Sequence, residues 1–393
     1  MEQVAAHSGA AVPAGSGERF HVLDSLRGIA ALAVGLSHIS GPGLLLSGPV
    51  HENLGRAVDF FFVLSGFVIA ASYGERLAQG FSLLRYMVLR IGRVWPLHAV
   101  MVLVYIALET GLWLRMGTDG AAGRIPFTGV RDWTALPACF LLLQAWIWPW
   151  RELWNVQSWS ISVELGLYLG AALAFRVLGH RAWVPGLVLA FSALALLELP
   201  SQAGHPVLRG LGGFGLGMAC HAAWPAFRRV ALPAWAATVA ELAVLTLIAR
   251  LLARPEAPWL WFDPACALAV LVFAREQGLA SRVLRHRAFA ALGTLSYAFY
   301  MVHGLVIGRM FDLIGAVQAR AGQRWADAHL GGGDVLMLPQ LPALLVAAAM
   351  LCAALVVAMA AHRCVEAPAR DWSRRFAARI GARLPMEPER GAV

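Results

Sequence analysis

Long apolar stretches alternate with short, arginine-bearing polar turns from residue 28 to residue 362. A helix needs about 20 predominantly apolar residues to cross roughly 30 Å of hydrocarbon. Ten stretches meet or approach that length: Gly28–Leu46, Ala57–Tyr73, Val94–Leu114, Ser160–Leu178, Ala182–Leu199, Val207–Trp224, Leu232–Leu252, Pro258–Ala274, Phe289–Phe311 and Leu341–Ala361. The pattern predicts an all-α fold, a polytopic transmembrane helix bundle. An eleventh stretch, Trp133–Trp150, is aromatic and interrupted by Pro137 and Pro149.

Arginine placement arbitrates between ten spans and eleven. With ten spans and an internal N-terminus, the inside loops hold Arg76, Arg85, Arg90 and Arg93, then Arg176 and Arg181, Arg228 and Arg229, and Arg275 to Arg287. Arg363, Arg370, Arg374, Arg375 and Arg379 follow in the tail. Counting Trp133–Trp150 as a span would move the two later loop clusters outside, against the positive-inside bias. Ten spans with both termini cytoplasmic is the expected topology. Trp133–Trp150 is then an external segment at the membrane interface, where Trp is favoured.

Composition agrees. Hydrophobic residues make up 59% of the 393 and charged residues 14%, where a soluble domain carries about a quarter. The net charge of +9 does not indicate nucleic acid, because the cations sit in short loops beside apolar spans and act as topology signals. All the strongly basic residues are Arg, with no Lys, which genome composition explains. The first twenty residues are small and polar without a basic start, so the first span is expected to serve as an uncleaved insertion signal in a bacterial inner membrane. Cys139, Cys220, Cys266, Cys352 and Cys364 show no zinc or disulfide spacing. No internal repeat is visible. The chain divides into a flexible N-terminal tail (1–20), a membrane domain (21–368) and a basic C-terminal tail (369–393). That tail alternates Arg with Phe and Ile at roughly helical spacing, which fits a helix on anionic lipid or a solvated segment equally.

Ionisable groups inside apolar spans are costly and mark candidate sites. Asp24 stands where it can cap the first helix. Arg27 and His38 are three turns apart on one face, about 16 Å along the axis, one at the cytoplasmic mouth and one deep in the membrane. Phe61-Phe62-x-x-Ser65-Gly66 permits close helix approach. Arg90 and Arg93, in the inside loop before Pro96, project from one face of a turn and suit phosphate oxygens. Ser158-Trp159-Ser160-x-Ser162-x-Glu164 places a carboxylate among hydroxyls at the external start of a span. Ser296-Tyr297 leads to a second mid-span histidine, His303, and Glu366-x-Pro368 closes the last inside edge.

In this order, and over roughly Leu23 to Pro368, these elements resemble the acyltransferase 3 family of integral membrane acyltransferases. Arg209–Gly217 also looks like that family's arginine–phenylalanine–glycine segment. The resemblance implies transfer of an acetyl or short acyl group from cytoplasmic acyl-CoA to a hydroxyl of a carbohydrate, such as a cell-surface glycan. The chain shows no appended esterase-like domain of the kind some members carry, so the activity is expected in the membrane core. It further implies Arg27, Arg90 and Arg93 as donor-binding groups, and His38 as general base or transient acyl carrier. Glu164 and His303 are expected to orient a histidine or bind the acceptor. Acyl-CoA is a donor substrate; no tightly bound cofactor, metal or nucleic acid is expected. A proton-coupled transporter using intramembrane His and Glu is the rival class.

Overall fold

The computed structural model describes residues 20–43, 45–116, 125–148, 152–255, 257–330 and 333–383. The expected N-terminal tail before Phe20, residues 149–151 of the aromatic stretch, and residues 384–393 lie outside the described residues. Among the described residues, eleven helices of at least 13 residues run in chain order: α1 (His21–Ser37), α2 (Ala57–Ile69), α3 (Leu83–Met116), α4 (Ser158–Leu178), α5 (Trp183–Leu197), α6 (Pro206–Phe227), α7 (Ala234–Leu252), α8 (Trp259–Ala274), α9 (Arg287–Ala321), α10 (Gln340–Ala361) and α11 (Ala367–Arg383). The first ten coincide in order with the ten apolar stretches, and α4, α5, α7, α8 and α10 agree within two residues.

Among the described residues, six helical stretches are long and apolar enough to cross a membrane: Gly48–Ala78, Leu83–Arg115, Ser158–Leu197, Ala234–Leu252, Arg287–Ala321 and Gln340–Ile380. Ser158–Leu197 joins α4 to α5 through the turn at Gly179, and Gln340–Ile380 joins α10 to most of α11.

Several expectations are corrected. Helix α1 starts seven residues early and ends at Ser37, because the Gly41-Pro42-Gly43 run cannot continue it. His38 therefore caps the end of the helix instead of lying in mid-span. Asp24 is not a cap. It sits in the first turn, and the α1 backbone receives help from Glu276, whose carboxylate accepts the Val22 N–H at 3.0 Å. Pro96 does not open a helix. Helix α3 runs 34 residues through it, so Arg90 and Arg93 are helical rather than in a loop. Pro96 lacks an N–H, and the carbonyl of Gly92 loses its usual partner.

The fold is not purely helical. Strands β1 (Ala326–Leu330) and β2 (Gly333–Leu336) form an antiparallel hairpin between α9 and α10. The Leu336 N–H donates to the Ser40 carbonyl at 2.8 Å, which ties the hairpin to the chain after α1. Ile39, Leu46, Ile307, Phe311, Leu336 and Ala343 bury against one another beneath it.

Glycine sets the closest crossings. A side chain on Gly28 of α1 would collide with Leu292 and Gly293 of α9, and one on Gly66 of α2 would strike the Phe214 backbone of α6. The segment 125–148 is only partly at the surface. One side exposes Trp133, Leu141 and Ile147, while Cys139, Leu142 and Ala145 are buried against α3 and α4. Side chains satisfy its irregular backbone: Trp95 Nε1 donates to Phe140 O at 2.9 Å and Ser162 Oγ to Leu142 O at 2.7 Å. Such backbone is tolerated at membrane depth only when it is packed in protein.

Candidate active site

Polar side chains line two cavities. The larger, of about 680 Å³, is formed by the first halves of α1, α3, α4 and α9, the length of α2 and the chain after α10. The smaller, of about 310 Å³, lies among the end of α1 and the beginnings of α2, α4, α6 and α8. Along α1 the larger lies at the start and the smaller at the end, so the two extend toward opposite ends of the bundle and adjoin at the beginnings of α2 and α4. Val58 and Tyr300 line both.

The larger cavity gathers most of the residues singled out in the sequence: Asp24, Arg27, Ser65, Arg90, Arg93, Ser160, Glu164, Tyr297 and Glu366. Five guanidinium groups face three carboxylates there, with Arg370 and Arg374 making up the five. Arg27 pairs with Asp24 at 3.0 Å. Glu366 accepts from His362 Nδ1 at 2.9 Å and stands 3.9 Å from Arg370. Arg90 lies over the Tyr73 ring, 4.5 Å from its centroid, a cation–π contact. Arg90 and Arg93 form no ion pair among the described residues. The surplus of positive charge is what a phosphate-bearing ligand would neutralise.

Two π-helical turns border this cavity. Ala70–Gly74, after α2, brings Ser72 to its wall, and His362–Glu366, after α10, brings Glu366. Single π-turns are rare and recur at functional sites, and nothing in the apolar pattern marks them.

Glu164 belongs to the larger cavity. It lies nearly two turns into α4 and faces the arginine-lined cavity. Its Oε1 accepts from Ser65 Oγ and, at 2.5 Å, from Tyr168 OH, so its partners are hydroxyls and not a histidine. Tyr297 OH donates to the Val94 carbonyl, linking α9 to α3 beside Arg93.

His38 lines the smaller cavity, exposed into it. His303 is fully buried behind, with ring centroids 5.2 Å apart. Phe299 stacks on His303 at 12° and its carbonyl lies 3.2 Å from Nδ1. A carbonyl only accepts, so Nδ1 carries the proton and neutral His303 presents Nε2 as an acceptor, which has no hydrogen-bond partner among the described residues. Tyr300 continues the line. Its ring is 5.8 Å from that of His303, and its hydroxyl is 2.8 Å from Ser160 Oγ, on the larger cavity's wall.

Arg209 of α6 enters the smaller cavity with Trp159 below its guanidinium at 4.9 Å and Trp259 at 5.1 Å. It grips the fully buried Asp59 in a two-bond fork, Nε to Oδ1 at 2.9 Å and Nη2 to Oδ2 at 3.1 Å. Asp263 of α8 is also fully buried, with neither carboxylate oxygen hydrogen-bonded among the described residues. In sequence Asp59 reads as part of a packing element, Arg209 carries little weight and Asp263 passes unremarked, although a lone carboxylate in an apolar helix is itself the signal. Glu241, by contrast, serves the scaffold. It caps the short helix Leu279–Leu284, accepting from Gly278 N at 2.9 Å and Ser281 N at 3.2 Å.

The family described as "Acyltransferase domain" matches residues 20–363. The chain is 28% identical to the protein named Acyltransferase MdmB of Streptomyces mycarofaciens over 386 residues, 89% of this chain and 91% of that one. It is 38% identical over 135 residues to Protein 2 in picA locus of Rhizobium radiobacter, 32% of this chain and 68% of that one. No solved structure matches it.

Proposed function

From its membership of this acyltransferase family, which spans residues 20–363, we propose that the protein is a membrane O-acyltransferase moving an acetyl or other short acyl group from cytoplasmic acyl-CoA to a hydroxyl of a carbohydrate, a cell-surface or exported glycan. The observation that carries this reading is the pair of cavities at opposite ends of the bundle, parted by Tyr300 and Val58. Helices α1 to α10 then cross the bacterial inner membrane in alternation, with both termini and the arginine-lined cavity on the cytoplasmic side, where the positive-inside bias favours arginine.

In this reading Arg27, Arg90 and Arg93 bind the donor's phosphates, and the thioester extends past Ser65 and Glu164 toward Tyr300. The acceptor enters the smaller cavity from the other face, against Trp159 and Trp259. His38 removes the proton from the acceptor hydroxyl as general base. The hydroxyl oxygen bonds to the thioester carbonyl carbon, the carbon–sulfur bond breaks, and the proton finishes on the departing thiolate sulfur. His303 acts through His38 as a positioning residue.

Sealed vesicles test the sidedness. With radiolabelled acetyl-CoA confined to the cytoplasmic face, label should appear in glycan on the opposite face. Two cavities with a thin partition would also serve a transporter. Uptake or efflux of solute with no thioester present, and no label in any glycan across several acyl donors, would replace the acyltransferase reading with that one.

A further inference from the structure

The C-terminal helix α11 is not a loose tail. Its Ser373 and Ala377 are buried, and Arg85 Nε of α3 donates to the Ala377 carbonyl at 3.1 Å. The contact is close because Gly92 has no side chain: a Cβ there would overlap that of Ser373. Gly92 lies between Arg90 and Arg93, so α11 docks against the segment bearing the two guanidinium groups of the larger cavity that have no carboxylate partner among the described residues. Residues four apart share a helix face. Arg370 and Arg374 therefore project together, beside the docked Ser373 and Ala377, and both line the cavity. Trp372, Arg375, Phe376 and Arg379 are exposed on the other side.

The carboxylates near this pair do not consume it. Glu366 is 3.9 Å from Arg370 and is shared with His362, while Asp371 is 3.6 Å from Arg374 at the surface. Arg370 Nε is buried without a hydrogen-bond partner among the described residues. A buried donor left unmade is costly, and a ligand oxygen would satisfy it.

We infer that α11 is a working wall of the donor site, and that Arg370 and Arg374 join Arg90 and Arg93 in binding the phosphate groups of an acyl-CoA. This rests on the donor reading above. It also assigns the helix a role besides holding the membrane surface: its outer face can meet lipid while its inner face meets the ligand.

Equilibrium binding of radiolabelled acetyl-CoA to the full chain, in a neutral detergent without anionic lipid, tests it. Arg370→Gln with Arg374→Gln should weaken binding by about tenfold or more, the size of one charge-assisted hydrogen bond. Competition by adenosine 3′,5′-bisphosphate, which has phosphates and no thioester, should weaken in parallel. Arg375→Gln with Arg379→Gln, on the opposite face, should bind as the intact protein does. Unchanged affinity in the first variant overturns the inference, as does an effect that appears only when phosphatidylglycerol is added, which would assign the pair to lipid. Loss of binding together with a lowered melting temperature would assign it to packing and equally overturn the inference. If the intact protein binds no acetyl-CoA, the donor reading itself has failed.

Discussion

At the larger cavity five guanidinium groups meet three carboxylates, whereas at the smaller one Arg56 and Arg209 meet Glu52 and Glu152, and Arg209 is already held by Asp59. One end carries a charge surplus that a polyanion would satisfy; the other is balanced, with indole faces and a histidine in reach of a neutral, hydroxyl-rich ligand. Arginine serves different purposes at the two ends. Free of a carboxylate, it would recognise an anionic ligand in the proposed reading. Forked onto a buried aspartate, it fixes the wall of a site that must not attract one. Two ligands of unlike charge could therefore be sorted to opposite faces before they meet at Tyr300.

The sharpest way to break this contrast is to remove His38. His38→Ala should lower acyl transfer by roughly 10²- to 10⁴-fold, the usual worth of a general base, while acetyl-CoA binding stays within about twofold of the intact protein. Transfer assays paired with equilibrium binding check both halves. A matched loss of binding would mean that the two ends are one site.

Next in size is the Asp59–Arg209 fork. Arg209→Ala leaves a buried carboxylate without its partner, which costs about 3–5 kcal/mol. A lower melting temperature in detergent should report it, and adding Asp59→Asn should recover part of the loss. No recovery would mean that the pair does not act as a unit. The smallest effect is expected at the partition. Tyr300→Phe keeps the ring and loses the hydrogen bond to Ser160, worth about 1 kcal/mol, so transfer should fall only several-fold. A collapse comparable to that of His38→Ala would place the Tyr300 hydroxyl in the chemistry.

The helices are legible in the sequence because apolar length is a local property. Expectation and structure part where a local signal is applied to a question of tertiary structure. Pro96 reads as a boundary, yet α3 passes through it because neighbouring elements pack both sides of it. Helix α9 continues ten residues beyond the predicted Phe311, into a stretch interrupted by Asp312, Gln318 and Arg320, since a helix can outlast its apolar stretch. The hairpin at Ala326–Leu336 has no long alternating run to announce it. In the site, Arg27 is readable as a cation on a helix face, and Arg90 with Arg93 as a pair on one face of a turn, though that turn proves to be part of α3. The spacing from Arg27 to His38 runs along a helix that ends at Ser37, so His38 closes that helix, which the apolar run to Leu46 does not announce. Asp59 and Arg209 are 150 residues apart in sequence, and no pattern within either helix says that they meet.

The pairing of α1 with α9 has a bearing on how the molecule is made. Ser25 Oγ donates to the carbonyl of Leu284, in the short helix just before α9, at 2.7 Å across 259 residues of sequence, and Gly28 is closed over by Leu292 and Gly293 of α9. A ribosome adding about 5–20 residues per second delivers that partner roughly 13 to 50 s after the first helix emerges. Through that interval α1 carries Asp24 and Arg27 with the groove for α9 empty. Their ion pair is only one turn apart and formed within α1 itself, so it needs no residue from later in the chain.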